Sequence, residues 1–328
     1  MNNLYKKGNN ENILEYKIRL CENKSRLNLT WNDIAKLINN ETGNNFGESS
    51  YRKWYNSFVE GRQYEIRKIN KNISYRILSI SDLHVPFQLP VYTFSEYVGK
   101  VDCLQINGDI VDMASCSKFD KVYRKSPMDE IVEARKYLIS LIDYLKPKKV
   151  IAIYGNHDIR FERYLSKNID NDLLELMPKT PLELIFNKGF TRYDKFNQCS
   201  IFYEPICDLF KNINIEYIDN WFCTINKILF AHPMAFSSGI LKTAEKAMYF
   251  FRNEGYDFNT LVMAHTHRIG EYVIGNTTIY EQGCCCDTSK MLYNNGRLIN
   301  SQKEGFLYIC LDKNGEVIRD NTRLVLIK

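Results

Sequence analysis

The chain has 328 residues, is 45% hydrophobic and 25% charged, and carries a formal net charge of +5 from 44 Lys/Arg against 39 Asp/Glu. This is the composition of a soluble protein, long enough for one large core plus a small domain. No apolar run approaches the about 18 residues of a membrane helix, and Met1-Asn2-Asn3 opens no basic, apolar leader, so neither a membrane span nor export is expected, and the expected compartment is cytoplasmic.

Residues 1–75 hold 13 Lys/Arg against 8 Asp/Glu, so the whole positive excess lies there. The segment reads as helical, with an amphipathic stretch from about Glu11 to Lys24. Thr30, with Asp33 three residues on, is a cap signature leading into Ile34, Leu37 and Ile38. After a turn containing Gly43, a second short helix is expected from Ser49 or Ser50, carrying Tyr51, Arg52, Lys53, Trp54 and Tyr55. Helix, glycine turn and a basic, aromatic second helix resemble a helix-turn-helix module, with Arg52 and Lys53 as its nucleic-acid contacts. A helical docking element or a structural cap gives the same pattern. Arg62 to Asn72 reads as a basic linker, either touching a phosphate backbone or simply solvated. The expected domains are therefore 1–72 and 73–328.

Beyond Arg76 the pattern changes. Apolar runs at Ile77–Ile80, Val101–Ile106, Val150–Tyr154, Ile228–Phe230 and Leu261–Met263 read as buried strands. Each is followed directly by a polar group: SDLH (Asp82, His84), INGDIVD (Asp109, Asp112), YGNHD (Asn156, His157), FAHP (His232) and MAHTH (His265, His267). All five histidines of the chain fall in these groups. A lone histidine is ordinarily a core or surface residue, but five of five in one local context are not chance. Side chains just past the C-terminal ends of several strands converge on one rim of a sheet. Between the second and third runs, Ser126-Pro127-Met128-Asp129 starts a helix whose apolar period runs through Ile131, Leu138, Ile142 and Leu145 to Pro147. Ile159 to about Gly189, with the cap signature Thr180-Pro181-Leu182-Glu183, reads as a mostly helical insertion overhanging the site. Glu271 to Gln282 is hairpin-like around Gly275-Asn276, and Gly305 to Lys328 is a terminal hairpin around Lys313-Asn314-Gly315. The ten cysteines give no paired CxxC, and the run Cys284-Cys285-Cys286 is not expected to chelate zinc, so reduced, mostly buried thiols are expected.

In order, Asp-x-His, Gly-Asp-x-x-Asp, Gly-Asn-His-Asp, His and x-His-Thr-His resemble the calcineurin-like metallophosphoesterases, from about Arg76 to the C-terminus. The layout is most similar to members found in phages and prophages. Two residues depart from the usual pattern, Pro233 after His232 and Ala264 before His265, and neither is a ligand position. The resemblance implies an α/β, four-layer α/β/β/α two-sheet domain, here preceded by a small all-α, helix-turn-helix-like domain. It implies two divalent ions, one held by Asp82, His84, Asp109 and His267, the other by Asp109, Asn156, His232 and His265. It further implies that His157 protonates the leaving oxygen and that Asp112 fixes the tautomer of that histidine. Carboxylate, carboxamide and imidazole donors suit manganese first, with iron or zinc as alternatives. Arg160 and Arg268 are close enough in sequence to reach a bound phosphate. The implied activity is metal-dependent hydrolysis of a phosphate ester. The charge asymmetry favours nucleic acid, as a phosphodiester or end phosphate, with a nucleotide or phosphoprotein phosphatase as the alternative. A nonenzymatic DNA-binding regulator on a degenerate fold is the second alternative, against which the intact ligand set stands. No membrane partner is expected.

Overall fold

The computed structural model describes residues 5–117, 125–291 and 302–327, with side chains outside 64–71. Met1-Asn2-Asn3, Lys328 and the side chains of Arg67, Lys68 and Lys71 thus lie outside the described residues. The chain divides into two compact units, Met1–Asn72 and Ile73–Lys328.

In the first unit, helix α1 (Ile13–Glu22) is capped by Asn12 and α2 (Trp31–Thr42) by Thr30, each with the reciprocal bond from the third helical residue, Glu15 and Asp33. Helix α2 stops at Gly43, whose φ of 71° is the left-handed conformation glycine adopts without strain. The second basic helix is not short: α3 runs over Glu48–Lys71 and absorbs the stretch expected to be a linker. Nothing between those residues forbids a helix, since Gly61 costs only about 1 kcal/mol in a helix interior. Tyr16, Leu20, Cys21, Ile34, Ala35, Ile38 and Tyr51 form this unit's core, with Trp54 and Tyr55 packed against it. The aromatic residues of this helix are therefore turned inward, and Tyr51 donates its hydroxyl to Asn39 Oδ1 at 2.6 Å. Arg52 and Lys53 stay exposed, Arg52 lying 3.7 Å from Glu48 one helical turn back.

The second unit is built on two sheets. Strands β1 (Tyr75–Ile80), β2 (Cys103–Asn107), β3 (Lys149–Ile153) and β6 (Asn214–Ile218) run parallel, and β12 (Gly305–Leu311) and β13 (Arg323–Leu326) extend the sheet antiparallel beyond β1. The other sheet has the order β10 (Ile269–Ile274), β11 (Thr277–Gln282), β9 (Thr260–Met263), β8 (Ile228–Ala231) and β7 (Phe222–Ile225). Successive strand residues point to opposite faces. Ile77, Ile151, Ile153, Leu307 and Ile309 of the first sheet thus meet Ile228, Phe230 and Val262 of the second in the layer between them. Leu78, Leu104 and Val150 face the other way, onto helix α4 (Pro127–Leu145). Leu229, Ala231, Leu261 and Met263 likewise back onto a late helix, Lys242–Asn253, through Ala244, Met248 and Phe251. The result is helix, sheet, sheet, helix. Strands covered on both faces read as continuous apolar runs, which is why these were legible in the sequence.

After β3 come α5 (Arg160–Asn168), α6 (Asn171–Leu174), α7 (Pro181–Glu183) and a wider helical turn to Lys188, as the helical insertion required. A two-stranded hairpin then follows, β4 (Phe190–Asp194) with β5 (Cys199–Tyr203), which was not expected because its outer strand is mostly exposed and carries no buried apolar run. The terminal hairpin is interrupted: the turn at Gly315 closes only the bridge Leu311–Val317, and the return strand starts at Arg323. Among the described residues, no helix is long and apolar enough to cross a membrane.

Candidate metal centre

The polar groups lie just beyond β1, β2, β3, β8 and β9, where the strands end and the backbone is free to turn. Asp82, His84, Asp109, His265 and His267 all have φ between 45° and 75°. Left-handed backbone at non-glycine residues costs about 1–3 kcal/mol each and persists only where surrounding contacts impose it. Two glycines make room. A Cβ on Gly155 would press into the carboxylate of Asp109, and one on Gly108 would come within 2.6 Å of His232 Nδ1.

Asp82, His84 and His267 form one group whose donor atoms lie within 4.8 Å of each other, and Asp109, His232 and His265 form another. In the first, His267 Nε2 is 3.1 Å from Asp82 Oδ1 and 3.2 Å from His84 Nε2. In the second, His232 Nε2 is 3.2 Å from both Asp109 Oδ2 and Asn156 Oδ1. Asp109 faces both groups, since the same Oδ2 is 3.8 Å from His84 Nε2. The donor set fits a pair of divalent cations. Imidazole nitrogens and carboxylates crowd together in a buried volume, and His265 Nε2 is buried with no hydrogen-bond partner. Burial by itself would lower the pKa of His232, but the carboxylates of Asp109 and Asp82 outweigh it and raise it to about 9. Burial and then the His232 charge push His265 down to about 3.

His157 stands beside these groups. Its Nδ1 is 2.9 Å from Asp112 Oδ1 and 3.0 Å from the Asp112 carbonyl, and its Nε2 is 3.9 Å from Asp109 Oδ2. The same Asp112 oxygen is 3.3 Å from His84 Nδ1, so one carboxylate orients two imidazoles. Arg160 reaches the site, with Nη2 2.9 Å from His157 Nε2 and Nη1 donating to the Asp112 carbonyl at 2.8 Å. The guanidinium of Arg268 is held on the carbonyls of Ser237, Ser238 and Gly239 at 2.7–3.2 Å, which pins that loop, and lies 5.5 Å from the centre of the Phe236 ring.

Asp158 was missed. Its carboxylate accepts from the backbone N–H groups of Asp109 and Gly155 at 2.8 Å and of Ile110 and Val111 at 3.1 Å, holding the loops after β2 and β3 together. Its partners are backbone amides from two distant segments, so only the Asp at the end of GNHD hinted at it. All ten cysteines are free thiols and most are buried, as expected. Cys284 and Cys286 face the same way, and their thiols and a His267 ring nitrogen lie within 4.8 Å of one another. Extended backbone puts residues two apart on one side, so the spacing that seemed unable to chelate converges on a third residue.

Two cavities flank the centre. One of about 590 Å³ is lined by Ser117, Arg160, Arg163, Tyr164 and Lys167. The other, of about 310 Å³, is apolar and lined by Trp221, Pro233, Met234, Phe236 and Phe250 with Lys246 at its edge. Phe236 sets its ring edge-on to His265 at 5.9 Å, and Arg163 Nη2 lies 3.8 Å from Met234 Sδ, so the two cavities adjoin.

A family model described as calcineurin-like phosphoesterase matches residues 75–268, and one described as YonJ N-terminal domain matches residues 1–70. The SPbeta prophage-derived protein YonJ of Bacillus subtilis (strain 168) is 53% identical over 60 residues, which are 18% of this chain and 15% of that protein. Among solved structures, an archaeal phosphodiesterase is similar at 15% identity and TM-score 0.35, covering 77% of this chain and 99% of its own. Vacuolar protein sorting 29 from Cryptosporidium parvum is similar at 14% identity and TM-score 0.38, covering 78% and 100%.

Proposed function

Since the chain belongs to the calcineurin-like phosphoesterase family and is a metal-dependent phosphoric ester hydrolase, we propose that it acts on nucleic acid, as a phosphodiesterase or an end phosphatase, through a centre of two ions. Asp82, His84, Asp109 and His267 would hold one ion and Asp109, Asn156, His232 and His265 the other. Manganese is the first candidate, iron and zinc the alternatives. The observation that carries this reading is the position of Asp109, whose one oxygen faces His232 on one side and His84 on the other. Two ions so placed supply Lewis-acid polarisation of a phosphoryl oxygen and a nucleophile from water at neutral pH.

The remaining residues supply positioning and a proton. Asp112 accepts from His157 Nδ1, which leaves Nε2 as the atom that carries a proton toward a leaving oxygen. Arg160 Nη2 lies on that Nε2, and a bound phosphate would draw the guanidinium to itself as a bidentate partner and free the imidazole. The preference for nucleic acid is supported by the flanking cavities. Arg160, Arg163 and Lys167 offer cations for neighbouring phosphates, and the Trp221–Phe250 cavity offers apolar faces for a base. The positive excess of residues 1–75 and the exposed Arg52 and Lys53 point the same way.

The deciding experiment is a metal-supplemented screen of an aryl monoester, an aryl diester, nucleotides, a phosphopeptide and labelled DNA. Cleavage of DNA at rates above the nucleotide arm is the expected result, and nucleotides or a phosphopeptide turning over faster than DNA would reject it. Asp109→Asn should lower metal content and rate on every substrate; full activity in excess chelator would overturn the two-ion reading.

A further inference from the structure

Cys284 and Cys286 are wholly buried, and His267 is 6% exposed. The three are held where they are by backbone bonds that do not involve their side chains. Cys284 bridges to Glu304 and Cys286 to Gln88, so both flanks of the run are pinned. Lys303 ties the group together, donating its N–H to the His267 carbonyl at 2.8 Å while its own carbonyl accepts from Cys284 N at 3.0 Å. Cys285 points the other way, into the main core, with Sγ on the Gly305 carbonyl at 3.3 Å. Cys284 and Cys286 instead share a small cluster with Met291 and Phe87. The buried His267 ring and the Cys284 and Cys286 thiols are side-chain neighbours, and Cys284 Sγ also meets the Lys303 carbonyl at 3.3 Å.

We propose that Cys284, Cys286 and His267 form a separate site for one thiophilic divalent ion, of the zinc or cadmium class, adjoining the two-ion centre and drawing on one of its histidines. Zinc bonds of about 2.3 Å to sulfur and about 2.0 Å to nitrogen set tetrahedral ligand atoms under about 4 Å apart. Three donor atoms within 4.8 Å of one another need only small side-chain rotations to reach that arrangement. Two soft sulfurs and an imidazole, with no carboxylate among them, select against manganese, magnesium and calcium. Three protein ligands leave the fourth position to water or another donor. His267 also turns Nε2 toward Asp82 and His84. An ion on the thiols therefore competes for a ring that the two-ion centre uses, so a thiophilic metal antagonises the oxygen- and nitrogen-bound pair.

The test uses the full chain, stripped of metal under reducing conditions and titrated with cadmium. Its thiolate bonds give an ultraviolet charge-transfer band that oxygen and nitrogen ligands lack. The expected result is a band that saturates at one ion per chain, weakens in Cys284→Ser and in Cys286→Ser, and is lost in the double variant. Wild-type protein needs no variant to refute the proposal: cadmium bound without the band means that the thiols serve only to orient His267, and the proposal falls. A band that survives in the double variant assigns the sulfur to other cysteines and overturns it equally. The readout does not depend on hydrolysis, so it stands apart from the substrate reading above.

Discussion

At Asp112 one carboxylate oxygen serves two imidazoles, His157 at 2.9 Å and His84 at 3.3 Å, and this separates two variants that the motif alone would treat as one. His157→Ala should leave metal content near wild type and lower turnover by ~10²–10⁴-fold on esters with poor leaving groups, and by less on activated aryl esters that need no proton. Asp112→Asn should show a milder loss of turnover, together with a loss of metal affinity of ~10–100-fold, because it also orients His84, one of the proposed ligands. Metal analysis of both variants beside their rates checks the assignment; loss of an ion from His157→Ala would refute it. The proton on His232 gives a second prediction. The carboxylates hold its metal-free pKa at about 9 against burial, so at neutral pH an ion must displace a proton there. Apparent metal affinity should therefore rise as pH is raised toward about 9 and level off above it, with proton release visible in weakly buffered titrations. Affinity independent of pH over that range would show that the ions bypass His232.

At the scale of elements, the loops after β2 and β3 act as one object. Gly155 lies against Asp109, and Asp158 draws backbone amides from both loops onto one carboxylate. Gly155→Ala should thus act on the metals before it acts on the fold. The added methyl meets the Asp109 carboxylate and main chain with no flexible neighbour to yield, and overpacking of this kind costs about 1–3 kcal/mol. Loss of at least one ion, with a lower unfolding temperature in metal-loaded protein, is the expected outcome; unchanged metal content would mean the loops move independently. Helix α3 teaches the converse lesson. Its basic half has the charge of a linker but no helix breaker beyond Gly61, whereas the caps of α1 and α2 are visible as short-range pairs of residue types.

At the scale of the molecule, the Met1–Asn72 unit has its own core around Tyr16, Leu20, Ile34 and Ile38, and the Ile73–Lys328 unit has its own sheets. If the first unit reads nucleic acid, it should bind duplex DNA with an affinity that falls steeply with salt, as neutralised phosphates release counterions. Arg52→Ala and Lys53→Ala should weaken that binding. The full chain should then outperform one starting at Ile73 on DNA while both treat an aryl ester alike, since tethering raises the local concentration of a polymeric substrate only. Equal rates on DNA, without salt-dependent binding, would make the unit a structural or protein-docking cap.

What the sequence determined by itself was everything encoded locally. Strands covered on both faces are mostly apolar, so β1, β2, β3, β8 and β9 stood out, and the polar groups follow them within a few residues. Caps are three-residue patterns and were equally plain. The tertiary structure decided what depends on segments far apart in the chain meeting. It turned Tyr51, Trp54 and Tyr55 inward, because a three-helix unit of this size needs aromatic bulk in its core. It held the Arg268 guanidinium on three carbonyls of another loop. It gave Asp158 its four amides and brought two thiols to His267 across a turn of backbone. Partners of this kind carry no signature at either end, since a backbone amide or carbonyl is the same in every residue and only the fold chooses which one a side chain meets.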